Sequence, residues 1–199
     1  MSPAPGEGGF SLPEAALATA LLGLLLLVSL PALASGLSRG RVATAAREMA
    51  GEMARLRSEA IATRRRVALR VAWSGGRYVY SYYADGDGDG VRSDDIAAGR
   101  DPLLAGPRDL PSRHDGVDFG LLESAIPEVP PARGVLPPFS DPVRFGASDT
   151  ITFTPWGTSS TGTLYVSDGK ESVQAVVLYG RTGRIRIWRF DRALWRWAQ

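Results

Sequence analysis

No charged side chain occurs between Glu14 and Arg39. The intervening stretch, Ala15–Ser38, contains Leu21-Leu22-Gly23-Leu24-Leu25-Leu26-Leu27-Val28. About 20 apolar residues in a helix cross the hydrocarbon core of a bilayer. The stretch is therefore expected to span a membrane, and everything after it must fold around that constraint. A cleaved secretory signal is the competing reading. Against it, Met1–Gly9 has no Lys or Arg, and the apolar run exceeds the roughly 7–15 residues of a signal core. Ala32-Leu33-Ala34 does imitate a signal peptidase site, and an uncleaved signal anchor is a further alternative.

Composition narrows the chemistry. There is no Cys, which excludes disulfides, thiolate metal sites and thiol catalysis. One His, His114, excludes a multi-His metal centre. It falls in Arg113-His114-Asp115-Gly116 and is expected as a surface loop residue. Gly36-Leu37-Ser38-Arg39-Gly40 matches a nucleophile-elbow pattern, but that elbow needs a strand before it and a helix after it. An apolar helix precedes it here, so the match is read as chance. No P-loop, dinucleotide fingerprint or zinc motif is present. The chain is not expected to be an enzyme.

The residues before the apolar run are informative. Pro13 suits the first helical turn, where its missing N–H costs nothing. Ser11 and Glu14 have the spacing of a capping box. As a cap alone Glu14 would be unremarkable, yet a carboxylate at the edge of an apolar segment is costly without a partner. Gly8-Gly9-Phe10-Ser11-Leu12-Pro13-Glu14 resembles the processing site of type IV pilins and type II secretion pseudopilins. That resemblance implies cleavage by a prepilin peptidase between Gly9 and Phe10, and N-methylation of the new Phe10 amine. It also implies that Glu14 pairs with the amine of a neighbouring subunit during assembly. Pro31 sits where many pilins carry a helix-kinking proline. Lys/Arg bias alone would place Arg39, Arg41 and Arg47 in the cytoplasm; the processing motif instead implies a cytoplasmic leader and a periplasmic head.

Past the apolar run, Val42, Ala46, Met49, Met53, Leu56 and Ala60 recur at alternating spacings of four and three, which is one helical stripe. Arg and Glu occupy the other faces, with Glu52–Arg55 and Arg55–Glu59 spaced to pair. One helix is expected to continue to about Thr63, roughly 75 Å in all at 1.5 Å per residue. From Arg66 the period becomes two. Val67–Val71 and Tyr78–Tyr82 flank Ser74-Gly75-Gly76 as two strands and a turn. Residues 99–142 hold nine prolines and no regular period, and are expected as a long loop or insertion. Short strands are expected at Val143–Phe145, Ile151–Thr154, Thr163–Val166, Ser172–Tyr179 and Arg184–Trp188. Together they would make a sheet of about five to seven strands packed on the helical stripe.

This half resembles the GspH/FimT family of pseudopilins and minor pilins. Four segments carry the likeness: Leu56-Arg57-Ser58-Glu59-Ala60-Ile61, Phe153-Thr154-Pro155-Trp156-Gly157-Thr158, Gly162-Thr163-Leu164-Tyr165-Val166 and Gly183-Arg184-Ile185-Arg186. The implied fold is α+β and pilin-like, with one long N-terminal membrane-spanning helix on a mainly antiparallel β-sheet head. Its parts would be a leader (1–9), a transmembrane and assembly helix (10–38), the periplasmic part of that helix (39–65) and a head (66–199) with an acidic, Pro-rich insertion at 85–142. The implied location is the bacterial inner membrane, and a pseudopilus after assembly.

Charge is segregated. Residues 39–70 carry nine Arg against three Glu, and residues 85–128 carry nine Asp and two Glu against four Arg. The segment from Asp85 to Ile96 opens like an EF-hand loop, with Asp85, Asp87 and Asp89 at alternate positions and Gly90 sixth. Calcium is the expected ligand, with the Val91 carbonyl and Asp95 completing a shortened site; a solvated Asp-Gly turn is the alternative. Residues 181–199 carry six Arg against one Asp. Alternation in Arg184-Ile185-Arg186-Ile187 puts both guanidinium groups on one strand face, and the resemblance to FimT-type pilins implies that Arg184 and Arg186 could hold DNA. The leading expectation is a minor pseudopilin of a type II secretion system, whose partners are other pilin-like subunits, the prepilin peptidase and secreted protein cargo. The alternative is a DNA-uptake minor pilin.

Overall fold

The computed structural model describes residues 11–146 and 149–199, except for the side chains of Val28, Leu30, Pro31, Ala32 and Ala34. The cleavage and methylation site at Gly9 and Phe10 lies outside the described residues, as does the side chain of Pro31. The chain divides into two units, residues 1–37 and 38–199.

Helix α1, Leu12–Thr63, is 52 residues long. The Ser11 carbonyl accepts the Ala15 N–H at 3.0 Å, which places Pro13 and Glu14 in the first turn. Gly40 and Gly51 do not interrupt the helix. In residues 12–37 the leucines at 21, 22 and 24–27 are each more than half exposed. Among the described residues no helix is long and apolar enough to cross a membrane. The stretch expected to do so includes the five residues whose side chains are not described.

The second unit is built on the α1 stripe. Val42, Ala46, Met49, Met53, Leu56 and Ala60 are fully buried, joined by Ala45. They form one core with strand residues from two antiparallel sheets. Strands β1 (Val67–Ser74) and β2 (Arg77–Ala84) make the expected hairpin. Gly75 and Gly76 both have positive φ there, matching the strand twist. The remaining strands are β3 (Leu103–Arg108), β4 (Asp118–Phe119), β5 (Ile126–Pro127), β6 (Val135–Leu136), β7 (Val143–Arg144), β8 (Thr150–Phe153), β9 (Gly162–Ser167), β10 (Val173–Tyr179), β11 (Arg184–Asp191) and β12 (Arg196–Ala198).

Two expectations are corrected. The single sheet is two: β3-β2-β1-β8, and β12-β11-β10-β9-β4 with β7 also on β9. Consecutive strands β7, β8 and β9 alternate between them, so neighbours in sequence are not neighbours in a sheet. The insertion is also not one long loop. It holds a short helix α2 (Ser93–Ala97), the edge strands β3 and β4 and the β5–β6 pair. Proline is tolerated at edges and bulges, and Pro107 sits on an edge strand whose register shifts twice. The insertion also supplies a second core: Leu121, Leu122, Ile126 and Leu136 pack with Tyr165, Phe190 and Trp197. The six-stranded sheet thus has the stripe on one face and the insertion on the other.

Candidate functional site

Three of the four family-like segments, far apart in sequence, meet around Arg57. Its Nε donates to the Gly157 carbonyl at 2.8 Å and its Nη2 to the Thr182 carbonyl at 3.2 Å. One side chain on α1 thereby ties down the Pro155-Trp156-Gly157 turn and the turn entering β11. Gly183 is obligatory here: its φ is +60°, and a Cβ would stand 2.2 Å from the Gly157 carbonyl oxygen. Trp156, at the tip of the first turn, is 80% exposed.

The turn aims Arg184 and Arg186 as the alternation requires. Ile185 and Ile187 pack on the α1 core, while Arg186 pairs in register with Val177 on the opposite face. Arg181, Arg184 and Arg186 line one open cleft of about 640 Å³ together with Thr161, Tyr179 and Thr182. Arg184 is exposed, and the Arg186 guanidinium donates to the Gln199 side chain. The cleft can receive an anion, but it is wide and shallow.

The acidic loop brings three expected residues together. Carboxylate oxygens of Asp85, Asp87 and Asp89 lie within 4.8 Å of one another. Asp85 is buried and accepts the Gly88 N–H at 2.7 Å and the Gly90 N–H at 3.1 Å. Arginines neutralise the cluster: Arg66 stands 3.5 Å from Asp85, Arg92 2.7 Å from Asp89 and Arg100 3.8 Å from Asp87. Asp95 is not drawn into the cluster; its carboxylate takes a fork from Arg100 on the neighbouring turn. Val91 is buried at the end of the loop. The Asp89 backbone N–H holds Asp87 below the ordinary carboxylate value, whereas desolvation and then Asp87 push Asp89 above it. Sequence reasoning missed Asp101, which is buried and accepts the Gly86 and Arg92 N–H groups at 3.1 and 2.9 Å. It lies past the twelve-residue window that the motif defines, so only the fold reveals it.

His114 is a correction. It is not a surface residue: its side chain is 11% exposed, and Nε2 lies 2.7 Å from Glu48 Oε2 on α1. Arg113 reaches the same carboxylate at 2.8 Å. One turn further along, Glu52 pairs with Arg55 at 2.9 Å, and Arg55 and Arg108 lie over the Tyr82 ring at 5.0 and 5.7 Å. These groups form a half-buried ionic seam between α1 and β2–β3. Burial, followed by the Glu52 charge, drives the Tyr82 hydroxyl far above its usual value. Ser38 sits within α1, so the strand–turn–helix of a nucleophile elbow is absent; its hydroxyl donates to Asp168 at 2.5 Å.

Residues 45–183 match the family model described as type II transport protein GspH. The match includes the Arg57 segment and the Trp156 turn, and ends at Gly183, immediately before Arg184. No curated protein and no solved structure matches the chain.

Proposed function

The chain belongs to the family of type II transport protein GspH, and from that premise we propose that it is a minor pseudopilin of a type II secretion system. The observation that carries this reading is the meeting of three family-like segments on Arg57, which lies in the matched region, together with the pilin-type sequence around Phe10 and Glu14. The family is a structural one rather than an enzyme family. In this reading the prepilin peptidase cuts between Gly9 and Phe10, the Phe10 amine is methylated, and the helix from Phe10 to Ser38 holds the subunit in the inner membrane until assembly. A helix apolar on all sides needs lipid or other helices around it, and the exposed leucines at 21–27 are such a surface. N-terminal sequencing of membrane-extracted protein tests the proposal. A start at Phe10, lost in Gly9→Ala together with secretion, is expected. A start at Met1 with normal secretion would overturn it.

A second reading is favoured by one observation, the shared cleft of Arg181, Arg184 and Arg186: a minor pilin that holds DNA for uptake. Binding that falls with salt and vanishes in Arg184→Ala/Arg186→Ala would favour it. Unchanged binding in that variant, or none at low salt, favours the secretion role.

Calcium at Asp85, Asp87 and Asp89 is proposed as an accessory ligand that competes with Arg66, Arg92 and Arg100, because three carboxylates converge there as oxygen donors for a hard cation. A calorimetric titration with calcium should give heat that Asp87→Asn/Asp89→Asn abolishes. A flat titration of the wild type would remove the ligand and leave the arginines as the only cations there.

A further inference from the structure

Two neighbouring features of the 38–199 unit are not used by the function above. The first is a groove of about 930 Å³ lined on one side by Arg39 and Arg47 of α1 and on the other by Arg189 and Arg192 of the β11–β12 hairpin. Two acids, Glu171 and Asp191, stand in its wall with the four arginines. Asp191 accepts the Ala193 and Leu194 N–H groups at 3.0 and 3.1 Å, and Arg192 donates to the Lys170 carbonyl at 3.1 Å. Among the described residues Arg47 and Arg189 have no carboxylate partner. The second feature is the hairpin tip itself. Leu194 and Trp195 are 57% and 50% exposed, between Arg192 and Arg196. Asp191 caps the backbone of the tip, and Trp195 meets Phe190 edge-on at 5.4 Å.

An exposed Leu-Trp pair flanked by arginines, beside an arginine groove, is the chemistry of a bilayer interface. Trp is favoured at headgroup level, and guanidinium groups bind phosphates bidentately. The groove's first residue, Arg39, follows the uncharged stretch directly. We propose that this face binds the headgroups of anionic phospholipids, with Leu194 and Trp195 entering the interface and the groove arginines holding phosphates. The inference rests on the membrane-anchored reading given above. It accounts for arginines placed immediately outside a membrane span, where the usual bias would put them inside. It also gives the subunit a docked state before assembly, which leaving the membrane must break.

The absence of Cys makes the test direct. The full chain carrying Leu194→Cys, labelled with a nitroxide, is placed in nanodiscs of neutral or of one-third anionic lipid. Depth is read from collisions with oxygen against a water-soluble nickel complex. In anionic discs the label should report headgroup depth, and in neutral discs it should report water. Arg189→Gln/Arg192→Gln should reduce the docked-to-free ratio about thirtyfold, since each arginine near an anionic surface contributes about a fivefold factor. A label in water in both lipids, or equal depth in both, would overturn the proposal. So would docking unchanged in the arginine variant while its fluorescence spectrum shows it folded. A second label at Leu24→Cys separates the premise: if that site also reports water, the membrane anchor itself has failed.

Discussion

Arg57 reaches carbonyls 100 and 125 residues further along the chain. Carbonyl acceptors leave no mark in a sequence, so the residue could be read only as part of a family-like string. Its chemistry is clear from the fold: a planar fork serves two turns at once, which an ammonium cannot do with the same geometry. Arg57→Ala should lower the urea-unfolding stability of the 38–199 unit by about 1–3 kcal/mol, the range for losing bonds from a charged donor. Arg57→Lys should recover less than half of that. A loss under a few tenths would mean that Gly183 and the turns hold themselves. Asp168 gives a second test at this scale. Burial pushes its carboxyl up, but the Ser38 hydroxyl and the N–H groups of Ser172, Glu171 and Lys170 outweigh burial and hold it below its ordinary value. A depressed folded value means that the stabilisation is complete above the unfolded value and is lost as pH falls through the folded one. Asp118, pushed up by burial, acts with the opposite sign. The difference between wild type and Asp168→Asn isolates the effect: it should shrink as pH falls from about 5 to about 2.

Among the elements, the long helix was the most legible, because a four-three spacing over nineteen residues has no strand reading and each named stripe residue is buried. The β1–β2 hairpin was legible for a similar reason: two period-two runs close on a Gly-Gly turn. The insertion was not. Its strands β4, β5 and β6 are two residues each, too short to show any period, and they form because β9 and the second core offer partners. The switching of β8 into the other sheet is likewise a long-range choice, with Leu69 opposite Ile151. The clustering of Asp85, Asp87 and Asp89 was legible from their alternate spacing, while their arginine partners were not. Helix burial makes a firm prediction here. Leu56 has no exposed surface, so Leu56→Ala should cost about 2–5 kcal/mol in denaturant unfolding. Leu25→Ala, at a position 64% exposed, should leave the 38–199 unit unchanged. Equal effects would mean that the stripe is not the core.

At the scale of the whole chain, assembly depends on whether Glu14 is a cap or a partner. Both roles suit its place in the first turn of α1, where a carboxylate also meets the positive end of the helix dipole. They differ in what removing the charge does. A cap contributes about 0.5–2 kcal/mol to one helix end, and a helix of 52 residues carries most of its stability elsewhere. As a partner for the Phe10 amine of the next subunit, Glu14 would instead decide whether the chain leaves the membrane at all, since an unpaired amine among apolar helices is costly. Glu14→Leu should therefore still be cut after Gly9 and still be found in membranes, yet be missing from sheared pilus fractions by immunoblot. Glu14→Asp, which keeps the charge on a shorter arm, should enter them in reduced amount. Normal incorporation of Glu14→Leu would reduce Glu14 to a helix cap. Incorporation of neither variant, with cleavage also lost, would place the fault in processing, which sequencing of the membrane-bound chain detects directly.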